Sequence, residues 1–137
     1  MKVLATPINC GFSGEEQLSS AYVDLGCSLD NLIMPNSVST FIGLASGDSM
    51  NGVGIFDGDL LVIDRSLDVK DGDVVVANIN GEFVCKILDR QNARLVSASE
   101  DFKPVSVKEC DVFSLEGIVS SSIRIFRSRA CFKSKLF

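Results

Sequence analysis

Two side chains have the types and surroundings for nucleophilic chemistry, Ser49 and Lys86. Ser49 lies in Ala45-Ser46-Gly47-Asp48-Ser49-Met50, directly after the apolar run Phe41-Ile42-Gly43-Leu44-Ala45. Gly47, Asp48 and the pair Asn51-Gly52 are residues of sharp turns, so the serine is expected on a turn that leaves a strand, its hydroxyl free to face a cleft. Lys86 lies in Glu82-Phe83-Val84-Cys85-Lys86-Ile87-Leu88, just after Asn80-Gly81. The runs on either side of that pair are strand-like, and Asn-Gly between two such runs predicts a tight hairpin. Side chains alternate along a strand, which puts Val84, Lys86 and Leu88 on one face. A lysine in that place is either the edge of a solvated sheet or a buried amine. Burial disfavours the ammonium and lowers its pKa. A neutral amine can then take the proton of a serine nucleophile, the Ser-Lys variant of the catalytic triad. Serines near turns and solvated strand lysines are both common, and spacing alone favours that plainer reading.

The elements that must position the pair are mostly β. Strands are expected over 40–45, 60–64, 73–79, 82–88, 93–98, 112–119 and 122–127, separated by Asp57-Gly58, Lys70-Asp71-Gly72 and Asn80-Gly81. Short strands at such intervals predict a curved sheet or partly closed barrel. Before them, Gly11-Phe12-Ser13-Gly14 reads as an extended breaker segment. Leu18, Tyr22 and Leu25 stand at helical spacing, with Ser13 as cap and Glu16 three residues later, and predict a short helix. Leu29, Leu32 and Ile33 continue a weaker helical pattern that Pro35 stops. The expected division is a flexible N-terminal arm over 1–40, a β domain over 41–127 and a basic tail over 128–137.

With 137 residues, the chain is long enough for one domain with a real core. Its net charge of −5 argues against a nucleic-acid binder. The charge is uneven: residues 124–137 carry five basic and no acidic side chains, leaving −10 on the remainder. Cys10, Cys27, Cys85, Cys110 and Cys131 include no Cys-x-x-Cys pair, and histidine is absent, so no zinc site is expected. The odd count fits a reducing cytoplasm better than a disulfide framework. Asp57, Asp59, Asp71 and Asp73 form two Asp-Gly-Asp motifs that lack the ligand spacing of a calcium loop and read as turns. No apolar run is long enough for a membrane span, and the first seven residues are too short for a signal peptide's apolar core.

Ser46-Gly47-Asp48-Ser49-Met50, then Asp57-Gly58-Asp59-Leu60-Leu61-Val62-Ile63-Asp64, then Gly72-Asp73-Val74-Val75-Val76-Ala77, then Asn80-Gly81-Glu82-Phe83-Val84-Cys85-Lys86 resemble, in content and in order, the self-cleaving LexA/UmuD family. The likeness covers roughly residues 8–127. It implies a mainly β, barrel-like peptidase domain with a short N-terminal arm and no cofactor. Ser49 corresponds to the nucleophile, Lys86 to the general base, and the backbone amides of Asp48 and Ser49 to the oxyanion donors. The family cuts itself at a small residue followed by glycine, and Cys10-Gly11-Phe12 resembles the cleavage site of the UmuD-type members. Glycine after the scissile carbonyl lets an extended chain enter a narrow cleft without a Cβ clash. Only ten residues precede Gly11, too few for the DNA-binding domain of the family's repressors, which points to the mutagenesis branch. The resemblance further implies a cytoplasmic SOS protein that forms a homodimer. It implies stimulation by the RecA–single-stranded DNA filament and a trimmed form that joins an error-prone polymerase of the UmuC type, without sequence-specific DNA binding. The apolar segment 118–126 is the expected dimer strand. Three rival readings are a non-catalytic interaction module on the same fold, a phage-type repressor fragment, and a signal-peptidase-like enzyme disfavoured by the lack of an anchor. The basic tail runs past the length usual in the family and reads as a solvated end.

Overall fold

The computed structural model describes residues 1–5, 7–8, 10–11, 22–109 and 112–127. The chain divides after Pro35 into two compact units. In the first, β1 (Lys2–Leu4) pairs antiparallel with β2 (Tyr22–Asp24), Val3 opposite Val23. This differs from the sequence expectation: Tyr22–Asp24, the end of the expected helix, is a strand, while its start falls outside the described residues. Val23 is β-branched and Tyr22 aromatic, both good strand formers once a partner is supplied, and the partner lies about twenty residues away where no local pattern reveals it. The helix expected around Leu29 and Leu32 is present as α1 (Leu29–Ile33), with the Ser28 hydroxyl accepting from the Asn31 amide at 3.2 Å.

The second unit is one antiparallel sheet of seven strands. These are β3 (Thr40–Leu44), β4 (Leu60–Asp64), β5 (Val74–Ile79), β6 (Glu82–Asp89), β7 (Arg94–Val96), β8 (Val105–Ser106) and β9 (Phe113–Ile123). Their order across the sheet is β3-β4-β9-β5-β6-β7-β8, so the sheet is open, with β3 and β8 at its edges. The fold is mainly β as expected, without barrel closure. The two strands expected over 112–119 and 122–127 are one, because Ser121 and Ser122 pair with Val62 and Leu61 instead of turning. No proline interrupts that run, Gly117 sits within it where a Cβ would collide with Ile63, and irregular register at Val62/Ile63 and Val76/Ala77 lets one long strand bridge β4 and β5. Segment 118–126 therefore serves the sheet first. Ile118 is buried in the core, while Ile125 and Phe126, beyond the strand, are exposed.

Alternation divides the core between two faces. Leu61, Ile63 and Val76 pack with Met50 and Ile55 on one face. Val75, Ala77, Leu95 and Ile118 form the cluster on the other. Asn80 and Gly81 both have positive φ, 51° and 89°, the backbone that a two-residue hairpin of this kind requires. That turn sets Ile79 opposite Glu82 and so fixes where Lys86 falls along β6.

Candidate active site

Ser49 sits in the connection from β3 to β4. Pairing of the two strands extends one step further, the Ala45 amide donating to the Asp59 carbonyl at 2.8 Å and the Gly58 amide to the Ala45 carbonyl at 2.8 Å. The loop that leaves this ladder is held by its own carboxylates. Asp57 accepts the Gly47 amide at 2.8 Å, and Gly47 has a φ of 90°, a left-handed conformation that glycine adopts without strain. Met50, the next residue after the serine, is 4% exposed and plugs into the core against Ile55 and Leu61. Burying such a side chain is worth about 1.5–3 kcal/mol, and it pins the turn from below. Ser49 itself is half-buried. Among the described residues its hydroxyl makes no hydrogen bond, and neither its amide nor that of Asp48 donates one. Both amides are thus uncommitted, as oxyanion donors must be.

Lys86 lies on β6 with Val75 opposite it on β5. Val84 and Leu88, two residues to either side, pack on the Leu95 cluster, whereas Cys85 and Ile87 pack on the Met50 cluster. The lysine thus stands between apolar neighbours and is half-buried, intermediate between the solvated and the buried alternative that the sequence left open. Burial holds its ammonium below the ordinary lysine pKa, an effect that the Cys85 thiolate partly opposes where it forms at high pH. Burial also pushes the Cys85 thiol up to about 11, so that sulfur stays protonated at neutral pH. The ring of the partly exposed Phe102 stands 5.4 Å from Nζ.

Ser49 and Lys86 line the same cleft, of about 500 Å³, whose floor is formed by Met50, Ile55, Leu61 and Val76. Edge strand β3 supplies one wall, and the start of β6, with Glu82 and Phe83, supplies another. The amine is not hydrogen-bonded to the serine here. Nζ donates instead to Ser97 Oγ at 2.7 Å. Ser97 and Phe102 are the residues that the sequence reading missed. The signal was present in the register: Ile87 pairs with Val96, and one step further along antiparallel strands Lys86 comes to face Ser97.

Cys10 and Gly11 are exposed residues of the first unit, the Cys10 thiol 3.9 Å from the Ile8 carbonyl, and Phe12 is outside the described residues. The four aspartates of the Asp-Gly-Asp motifs each have structural partners. Asp59 binds Arg124, while Asp71 accepts the Arg90 amide and Asp73 the Lys70 amide. Among the described residues no cluster of three or more acidic or cysteine side chains is arranged to hold a metal ion. Cys10, Cys27 and Cys85 are free thiols, and Cys110 and Cys131 lie outside the described residues. No helix of the described residues is long and apolar enough to cross a membrane.

A serine on a pinned turn and a half-buried lysine share one cleft, the arrangement that a serine peptidase of the Ser-Lys kind requires. Residues 5–120 match the Peptidase S24-like family, and the chain belongs to that family. It is 35% identical over 115 residues to the LexA repressor of Pseudoalteromonas atlantica, covering 82% of this chain and 55% of that protein. It is 33% identical over 116 residues to the LexA repressor of Vibrio atlanticus, with 82% and 55% covered. To the LexA repressor of Bordetella pertussis it is 34% identical over 114 residues, with 82% and 52% covered. The chain thus spans about half the length of these curated relatives.

Proposed function

We propose that this protein is a self-cleaving serine peptidase in which Ser49 attacks the Cys10 carbonyl and Lys86 takes the serine proton. The observation that carries this reading is the shared cleft, with an unbonded serine hydroxyl and an amine whose pKa burial has lowered. The Asp48 and Ser49 amides stabilise the oxyanion of the tetrahedral intermediate, preorganised by the loop anchors at Asp57 and Met50. As the intermediate collapses, Lys86 returns the proton to the Gly11 nitrogen and the Cys10–Gly11 bond breaks. Water then attacks the Cys10 acyl-serine, with Lys86 again as base, and frees Ser49.

Within the family, Cys10-Gly11-Phe12 favours a UmuD-type role. In that role the protein is a cytoplasmic homodimer of the SOS response, and the RecA–single-stranded DNA filament promotes cleavage. The trimmed form then serves an error-prone polymerase of the UmuC type in translesion synthesis. One observation favours the rival, non-catalytic module: Lys86 is bonded to Ser97 and not to Ser49. Catalytic hydrogen bonds often form only when substrate docks, so the contact with Ser97 does not remove Lys86 as the base. Intact-mass measurement of purified wild type and Ser49→Ala separates them. The expected result is a 127-residue product beginning at Gly11 from the wild type alone. Cleavage of the same bond at the same rate in the alanine variant overturns the assignment.

A further inference from the structure

Ser97 and Ala98 follow β7 and grip both reacting residues. The Ala98 amide donates to the Ser49 carbonyl at 2.9 Å, and Ser97 Oγ accepts from Lys86 Nζ at 2.7 Å. Ser97 is 8% exposed, so its hydroxyl cannot exchange this partner freely for bulk water. Neighbouring residues of one extended segment thus touch the carrier of the nucleophile through the main chain and the base through a side chain.

We propose that Ser97 is a positioning residue that sets the Lys86 amine for proton transfer, deepening the Ser49–Lys86 reading and resting on it. A neutral lysine amine has two N–H bonds and one lone pair. Left alone at the end of four methylenes it rotates freely, and its lone pair faces the serine only part of the time. Committing one N–H to Ser97 Oγ fixes that rotation and leaves the lone pair for the Ser49 proton. Because the same segment holds the Ser49 carbonyl, the two groups keep register when the sheet breathes.

The groups around the amine limit what else can produce such an effect. Cys85, adjacent on β6, is the titratable neighbour whose thiolate acts on Lys86 once it forms at high pH, and Glu82 lies further along the same strand at the cleft. From the segment after β7 come Ser97 and the Phe102 ring, with Glu100, Asp101 and Lys103 beside that ring in the chain. Val75 is the neighbour from β5, and Asp48 precedes the serine on its loop.

Ser97→Ala and Ser97→Thr in the full chain test the proposal with two readouts. The first is the rate of cleavage from pH 7 to 10.5. The second is the titration midpoint of Lys86, followed by carbon NMR of its labelled ε-methylene in a Ser49→Ala background, where no cleavage intervenes. Removing the acceptor takes a hydrogen bond from the ammonium, so Ser97→Ala is expected to lower the midpoint by about one pH unit. The plateau rate at high pH is expected to fall roughly tenfold or more as the amine loses its orientation. Ser97→Thr keeps a hydroxyl and restores both. An unchanged midpoint and plateau in Ser97→Ala overturn the proposal. So does an equal loss at every pH that threonine fails to rescue, which marks a merely structural serine. If the wild type never cleaves, the catalytic reading fails by itself, and the midpoint still decides whether Ser97 governs the amine.

Discussion

Gly52 abuts Ala98: a Cβ on Gly52 would stand 2.1 Å from the Ala98 carbonyl oxygen, far inside contact distance. The obstructing atom is backbone and cannot swing aside. The short 3-10 turn Asn51–Val53, which begins two residues after Ser49, therefore packs directly on the segment that holds Ser49 and Lys86.

Gly52→Ala is accordingly expected to push that turn away from Ala98. The strain costs about 1–3 kcal/mol. Displacing the serine from its amine costs activity out of proportion to stability, by up to about a hundredfold for a shift near 1 Å. Melting temperature and cleavage rate of the purified variant check this together. A variant that cleaves at the wild-type rate would show that the close approach does not set the site.

A second anchor lies at the far end of the same loop. Asp59 is 2% exposed, and Arg124 Nε and Nη2 bind its two oxygens at 2.8 Å each, with the guanidinium 4.3 Å from the Phe56 ring centre. The Arg124 hydrogen bonds hold the Asp59 carboxyl below the usual carboxylate range, against the opposing effect of burial, with the Phe56 amide adding to them. A folded-state pKa below the unfolded value of ~3.9 gives stability that is complete above that value and lost as pH falls through the folded one. Arg124→Met is expected to melt below the wild type at pH 7, the difference narrowing as pH drops under about 4. An equal difference at pH 3 and pH 7 contradicts this role for the pair.

Lys86 has the opposite sign. Its folded-state pKa is lowered by burial, so below that pKa the folded protein bears an ammonium it solvates poorly. This destabilisation is full at neutral pH and is relieved as pH rises through the folded pKa towards the ordinary lysine value of ~10.4. Lys86→Met keeps the length of the stem and removes the charge. It is expected to be inactive yet more stable than wild type at pH 7, with the gap closing towards pH 10. Denaturant unfolding at both pH values tests this, and a variant less stable at pH 7 would mean that the amine's contacts with Ser97 and Phe102 outweigh its desolvation.

What could be read from the sequence was local. Asn80-Gly81 between two apolar runs specified its hairpin because the turn chemistry is contained in two residues, and that hairpin alone locates Lys86. Leu60–Asp64 was legible as a strand for the same reason, being a continuous apolar run bounded by Asp-Gly. What escaped depended on distant partners. Asp59 and Arg124 are separated by 65 positions, and nothing near either residue announces the pair. Tyr22–Asp24 needed β1 to become a strand, and the serines at 120–122 needed β4 to stay one. Ser97 was hidden because its meaning lies in the register between β6 and β7, which a short connection sets and composition does not.

The central claim is that a neutral Lys86 amine activates Ser49 to cut the Cys10–Gly11 bond. The most direct test is the cleavage rate of the purified chain against pH, read by intact mass, for wild type and Lys86→Ala. The account predicts a rate that rises from pH 7 and levels off at an apparent pKa below the ordinary lysine value. It predicts one large product beginning at Gly11 and no such reaction in the variant. A rate that falls between pH 7 and pH 10 with the fold intact, or a product beginning at another residue, would contradict it.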